Sequence, residues 1–263
     1  MDDAAAAQRR FDELVHEALT APFVGWGFDY LAGRWQESPP PWDYRAEVVA
    51  RLQAGVERLL DMGTGGGEWL STLQPLPPRT VATEGYAPNV SVAASRLGPL
   101  GVRVVAVDGD DPARLPFADG AFDLVINRHD SYDPAEVRRV LKPGGWFITQ
   151  QVGELDGVEL NRWLQLPVHG AVSPSYPGWD LAAAARALEA AGFVVVKRQE
   201  AFPPAVFRDI GAVVYYLRAI PWQIPDFSVE RYYQPLLALH RHIERNGPLT
   251  VHGHRFLLVA RRD

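Results

Sequence analysis

The chain has 263 residues, 47% hydrophobic and 22% charged, which is ordinary for a soluble globular protein with a sizeable core. A formal net charge of -6 denies it a chain-wide positive field for nucleic-acid phosphates or anionic lipid. With no cysteine, disulfides, zinc thiolate sites and cysteine nucleophiles drop out.

The opening stretch "MDDAAAAQRRFDELVHEAL" places acids before its arginines and contains no uninterrupted apolar stretch of signal-peptide type, so it reads as an amphipathic helix. No run approaches the roughly 20 apolar residues of a membrane span, and a cytoplasmic protein is expected. "FVGWGFDYLAGRWQESPPPWDY" follows, dense in aromatics and closed by three prolines that run extended. Beyond residue 45, short β-rich runs alternate with helical patterns, the signature of an α/β fold with a parallel sheet covered by helices. Strands are expected at 56–62, 79–84, 102–107, 122–127, 146–152, 193–199 and 254–261. Helices are expected at 89–97, 134–141 and 180–192, the last stopping on Gly192. Residues 202–252 stand outside the alternation, with helical patterns at "FRDIGAVVYYLRAI" and "VERYYQPLLALHRHIERNG". The expected organisation is therefore an N-terminal helical and aromatic lid over 1–45 and a main domain over 46–263. Residues 202–252 form a helical insertion of that domain on the substrate side, before the last strand.

The stretch "LLDMGTGGGEW" (59–69) packs its glycines directly behind the first strand. Glycines at a strand-to-helix turn permit positive φ and close approach of a ligand, and the helix that follows offers unpaired N–H groups. A dinucleotide fingerprint started at Gly63 and Gly65 needs glycine where Glu68 stands. A phosphate loop needs lysine and a hydroxyl residue after Gly67, where Glu68 and Trp69 follow. An acid here is a poor neighbour for a pyrophosphate, so a cofactor without phosphate, preferably positively charged, fits better.

In this stretch the sequence resembles the class I S-adenosylmethionine-dependent methyltransferases. "LLDMGTGGG" matches their acidic G-x-G-x-G loop with Asp61, Gly63, Gly65 and Gly67 in register, and Thr64 lies between. "TVATEGY" looks like their second strand, whose terminal acid, here Glu84 followed by Gly85, holds both ribose hydroxyls in the family. "DGDDPARLPFADGAFDLVINRHD" is similar to the stretch whose aspartate receives the adenine amino group; the family spacing picks Asp111 and the Gly-Asp pair picks Asp110. "EVRRVLKPGGWFITQQV" resembles the following helix, turn and fifth strand. The resemblance runs in order over about residues 55–152. It implies a seven-stranded Rossmann-like sheet with helices on both faces, S-adenosyl-L-methionine as cofactor, and Asn127 and Arg128 on the cofactor side.

Residues beyond the fourth strand should face the methyl group. "NRHDSYD" (127–133) departs from the signature of enzymes that methylate planar exocyclic amines. His129 is the candidate general base, since neutral imidazole removes protons near pH 7, against the alternative that it only packs or caps the next helix. Tyr132, His169 and Tyr176 are candidates for the substrate pocket. Arg128, Asp130 and Asp133 stand close in sequence, but their spacing forms no recognisable metal-ligand set and no metal is expected. Because aromatic faces attract a sulfonium cation, Trp26, Tyr30 and Trp35 from the first addition and Tyr216 from the second are candidate substrate contacts, beside the plainer reading of core packing. The leading expectation is methyl transfer to an O or N atom of a small or medium-sized, partly apolar molecule. Nucleic acid and membrane are not expected as partners, and the oligomeric state is open. An RNA or protein methyltransferase, supported by "HRHIER" and "HRFLLVARR", and a non-catalytic cofactor binder are the alternatives.

Overall fold

A computed structural model of the chain describes residues 2–22, 28–108, 114–164 and 178–263. In chain order, α1 (Asp2–Thr20), β1 (Trp35–Glu37) and α2 (Tyr44–Gln53) precede an alternation of β2 (Arg58–Met62), β3 (Arg79–Glu84), α3 (Ala87–Leu97), β4 (Arg103–Ala106), β5 (Phe122–Arg128), α4 (Pro134–Val140) and β6 (Leu141–Val152). Then come α5 (Val158–Trp163), α6 (Leu181–Ala190), β7 (Phe193–Ala201), β8 (Pro204–Phe207), α7 (Ile210–Ala219), α8 (Tyr233–Asn246), β9 (Leu249–His252) and β10 (Arg255–Arg262). The contacts divide these elements into two units, one of residues 41–152, 180–200 and 256–263, the other of residues 1–40, 153–179 and 201–255.

The first unit is built on a seven-stranded sheet in the order β4-β3-β2-β5-β6-β10-β7, and all seven expected strands are in it. β2 runs parallel to β3 and β5, β3 to β4, and β5 to β6. Strands buried on both faces need continuous apolar runs, and Leu59, Leu60, Leu124, Val125 and Ile126 are fully buried. Three of its helices, α2, α4 and α6, start where an aspartate caps the first turn. Asp43, Asp133 and Asp180 accept from the N–H groups of Ala46, Glu136 and Ala183 at 3.0, 2.7 and 2.7 Å. Asp133 is thereby the cap of α4.

Asp123 ties the start of β5 to its neighbours. Its carboxylate accepts from the backbone of Glu57 and Arg58 at 3.0 and 2.9 Å and pairs with the Arg58 and Lys142 side chains at 3.0 and 2.8 Å. Burial alone would raise this acid; Lys142, the two N–H groups and Arg58 outweigh it and bring it down to about 2. An acid held below its unfolded value stabilises above that value and loses the contribution as pH falls through the folded one. Between about pH 4 and pH 2, Asp123→Asn should therefore lose about 2 kcal/mol less unfolding free energy than the parent in urea titrations. Parallel acid profiles would show the pairs to be idle.

The second unit packs α1 against α7 and α8 and adds a three-stranded antiparallel sheet in the order β1-β8-β9. Trp35 pairs with Phe207, and Phe207 with Leu249. Its core takes Phe11 and Leu14 from α1, Val213 and Tyr215 from α7, and Leu236 and Leu239 from α8. The contact units divide at 40/41, and beyond it Trp42 and Tyr44 bond to Gln150 of β6 and Asn127 of β5. No helix among the described residues is long and apolar enough to cross a membrane.

Candidate functional site

With β3 on one side of β2 and β5 on the other, the sheet reverses its strand order beside β2, and the glycine loop leaves β2 at that crevice. Glu84 ends β3 and is buried. Its Oε2 accepts from Gly65 N–H and its Oε1 from Tyr86 N–H, each at 2.7 Å. The Thr64 N–H donates to the Thr83 carbonyl at 2.9 Å, fixing the loop along β3. A carboxylate oxygen takes two hydrogen bonds, so each Glu84 oxygen keeps one acceptor site, enough for two neighbouring hydroxyls. Gly85, the next residue, is exposed.

Gly63 and Gly67 face protein atoms from outside the loop. Gly63 has φ of 65°, and a Cβ there would lie 2.4 Å from Asp130 Cβ, Cγ and Oδ2. At Gly67, φ 79°, it would lie 2.7 Å from Leu97 of α3. The expected helix after the loop is absent. Leu70–Thr72 form a single 3-10 turn, and Pro75, Pro77 and Pro78, which lack the N–H that a helix uses, follow at once. Glu68 also differs from its expected part, since Arg96 pairs with it and offsets its charge. The electrostatic argument against phosphate passes to Asp61, Glu84 and Asp130.

Burial drives the titration of Asp61 and Asp130. It raises Asp61 to about 7; the Thr64 hydroxyl and Arg128 pull the other way, and Asp130 and Glu84 add to the rise. Asp130 is raised by burial to about 6, opposed by the Ser131 N–H and reinforced by Glu84. Arg128 rests over the Trp69 ring, 5.4 Å from its centroid. Such a site suits a cationic occupant and opposes an anionic one.

The ends of β5 and β6 carry a polar layer. Asn127 is fully buried, and its Oδ1 accepts from Thr149 Oγ1 at 3.1 Å and Gln151 Nε2 at 2.6 Å. Gln151 also donates to the Asp130 carbonyl at 3.0 Å. Tyr44 donates to the Asn127 carbonyl at 3.0 Å. Trp42 Nε1 donates to Gln150 Oε1 at 2.8 Å, and Gln150 Nε2 lies 2.9 Å from His129 Nε2. His129 is exposed and has φ of 65°, alone among the non-glycine described residues in the left-handed region. That backbone costs about 1–2 kcal/mol and persists where the surroundings fix it. Here its N–H donates to the Gln150 carbonyl at 2.8 Å.

Asp61, Gly63, Thr64, Gly65, Gly67, Glu84, Gly85, Asn127, Arg128 and His129 thus share the carboxyl ends of β2, β3 and β5. Tyr132 belongs to the same unit but is buried, its ring edge-on to Phe147 at 5.0 Å. Tyr30, Trp35 and Tyr216 lie in the second unit. Tyr30 contacts Tyr215 at 4.7 Å, and Trp35 contacts Tyr216 at 5.9 Å. Trp26, Asp110, Asp111, His169 and Tyr176 lie outside the described residues. Thr149, Gln150 and Gln151 were not among the expected site residues. Their signal was present in "TQQV", three polar residues in succession inside a buried central strand.

Residues 60–149 match the family described as "Methyltransferase domain". The chain is 34% identical over 116 residues to the demethylmenaquinone methyltransferase of Thermus thermophilus, covering 41% of this chain and 52% of that protein. It is 30% identical over 98 residues to the uncharacterized methyltransferase YcgJ of Bacillus subtilis, covering 35% and 39%. These matches span about half or less of the curated relatives' lengths. The solved YcgJ structure superposes with a TM-score of 0.55 at 18% identity, over 83% of this chain and 97% of that one. The [4+2]-cyclase SpnF superposes at 0.51 and 20% identity, over 98% and 96%. The structures show a shared fold alone, since one fold hosts many chemistries. The sheet order and the glycine loop closed by Glu84 are those of the Rossmann-like methyltransferase fold, and residues 60–149 resemble its methyltransferase domain family.

Proposed function

We propose that the chain transfers the methyl group of S-adenosylmethionine to an oxygen or nitrogen atom of a small or medium-sized, partly apolar molecule. Glu84 carries the reading: it is buried at the end of β3, fixed by two backbone N–H groups, and keeps one acceptor site on each oxygen. The buried acids around it favour a cofactor whose sulfonium is positive. Bound there, the cofactor supplies an electrophilic methyl group. The chain's own residues hold the partners in line and keep the site dry.

We read the second unit as the part that selects the acceptor. Its support is composition, with Tyr30, Trp35, Tyr215 and Tyr216 within it, and the relative named for demethylmenaquinone takes an organic molecule of this class. An RNA or protein acceptor has less support. In "HRFLLVARR", Arg255 is paired with Asp156 and Glu37, and Arg262 donates to the carbonyls of Arg138 and Leu141, so these cations are engaged within the fold.

Titration calorimetry tests the reading. Glu84→Ala should weaken S-adenosylmethionine binding by about 1.5–3 kcal/mol, the worth of hydrogen bonds to a charged acceptor. An unchanged affinity would remove Glu84 from the site. Phenols and amines should then be screened for production of S-adenosylhomocysteine; tight cofactor binding without turnover would favour the non-catalytic alternative.

A further inference from the structure

We propose that the second unit binds an ammonium group, in a site made by the Tyr216 hydroxyl and the Glu37 and Asp156 carboxylates, and that the methyl acceptor is a molecule carrying such a group. The site is read from the second unit alone; that its ligand is the methyl acceptor rests on the methyltransferase reading.

Side chains two apart on a strand, and those directly opposite on neighbouring strands, share one face of a sheet. Trp35 and Glu37 of β1 therefore face the same way as their β8 partners Phe207 and Ala205 and, beyond these, Leu249 and Val251 of β9. The four β8 and β9 residues are buried, so this is the core face. Tyr216 of α7 packs on it, 5.2 Å from the Phe207 ring and 5.9 Å from the Trp35 ring. A carboxylate on such a face is costly unless something pairs with it. Arg255 does so, donating to Glu37 Oε1 at 2.7 Å and also to Asp156 Oδ1. The three groups converge beside Gly253, where a Cβ would lie 3.1 Å from Glu37 Oε1 and 3.4 Å from both Arg255 Nη1 and Asp156 Oδ1.

The cluster is one positive charge short. A single guanidinium serves two carboxylates, although a paired structural arginine needs only one. The bonds from Arg255 and from the His254 N–H use Oε1 and Oδ1, and among the described residues Glu37 Oε2 and Asp156 Oδ2 accept from nothing. Tyr216 is 9% exposed, and its hydroxyl likewise has no hydrogen bond among the described residues. Burial raises its titration, Asp156 and Glu37 add to the rise and Arg255 opposes it, so the hydroxyl shares the field of all three. An ammonium supplies what is missing: one positive charge, and three N–H donors for the phenol oxygen and the two free carboxylate oxygens. The faces of Trp35 and Tyr216 favour a cation as well. An anion would meet both carboxylates, and a neutral hydroxyl would bring one donor to three acceptors. The Glu37 and Asp156 side chains keep 27% and 14% of their exposure, which leaves the site a way in.

Calorimetric titration without cofactor tests the site with three phenols that differ at one end: cationic tyramine, neutral 4-ethylphenol and anionic 3-(4-hydroxyphenyl)propionate. Tyramine should bind at least about tenfold tighter than 4-ethylphenol, as a charge-assisted hydrogen bond allows, and the propionate most weakly. Glu37→Gln, which keeps the shape and removes the charge, should bring tyramine to the level of 4-ethylphenol. Tyr216→Phe should weaken tyramine about threefold or more and leave 4-ethylphenol unchanged. Equal binding of tyramine and 4-ethylphenol, as for a cluster that holds only water, overturns the proposal. So does a preference for the propionate, which would give the cluster to anions through Arg255, or tyramine binding unaltered in folded Tyr216→Phe. No cofactor enters these titrations, so failure of the methyltransferase reading appears separately, as absent binding of S-adenosylhomocysteine. With S-adenosylmethionine supplied, tyramine should release S-adenosylhomocysteine with kcat/KM at least about tenfold above that of 4-ethylphenol. Release no faster with tyramine than with 4-ethylphenol rejects the acceptor role.

Discussion

Gly63→Ala is expected to lower the free energy of unfolding by about 2–5 kcal/mol, the sum of left-handed backbone strain and overpacking. The position carries both penalties at once. Its φ is 65°, and the new methyl would sit 2.4 Å from three atoms of the Asp130 side chain, well inside contact distance. The two parts can be separated. Asp130→Gly removes the obstructing side chain, so in the double variant the overpacking part should return and the backbone part remain, a coupling of about 1–3 kcal/mol in a double-mutant cycle by urea unfolding. Strict additivity would mean that Asp130 swings aside at no cost and that Gly63 answers only to φ. The same cycle bears on the binding site, because a displaced Asp130 is a changed neighbour for Asp61 and Glu84.

The second large effect is a dependence on pH that should invert when the cofactor binds. Asp61 and Asp130 are raised by burial to about 7 and about 6, against 3.8 for the ordinary side chain. Raised acids make the folded state bind more protons than the unfolded one, so unfolding free energy falls as pH rises from about 4 to 7. Asp130→Asn should flatten that fall by about 1–2 kcal/mol, discounting for partial exposure. A cationic ligand favours both acids ionised. Its binding should therefore release protons near pH 6 and tighten about tenfold between pH 6 and 8, while S-adenosylhomocysteine, without the sulfonium charge, gains less. Calorimetry in two buffers of different ionisation heat counts the protons. A count of zero at pH 6 would show that the free protein already holds both acids ionised.

The sheet was legible because its signals are local. Each strand of the seven-stranded sheet is a short apolar run with a helix or turn signal beside it, and the glycine loop carries its own spacing. The strands β1, β8 and β9 were not foreseen: they have three, four and four residues and pair across long stretches of chain. The extended "PPPWDY" gave no sign of its distant partners: Trp42 and Tyr44 bond to Gln150 and Asn127, 108 and 83 residues later. His129 could be picked out by residue type. Its contact with Gln150, 21 residues on, and through it with Trp42 could not. The glycine loop announced a helix that its prolines withhold.

The second unit has a consequence for how the chain is made. Its core joins Phe11 and Leu14 of α1 to residues of α7 and α8, and Gln8 donates to the Tyr233 hydroxyl 225 residues later at 2.7 Å. At a synthesis rate of about 5–20 residues per second, α1 emerges roughly 10–45 s before its partners exist. Through that interval its apolar face has nothing of its own unit to cover it, while the strands that form most of the sheet are already available to pair. A nascent chain paused before residue 210 should therefore be captured by hydrophobic-surface chaperones through α1, and one that reaches residue 246 should let go.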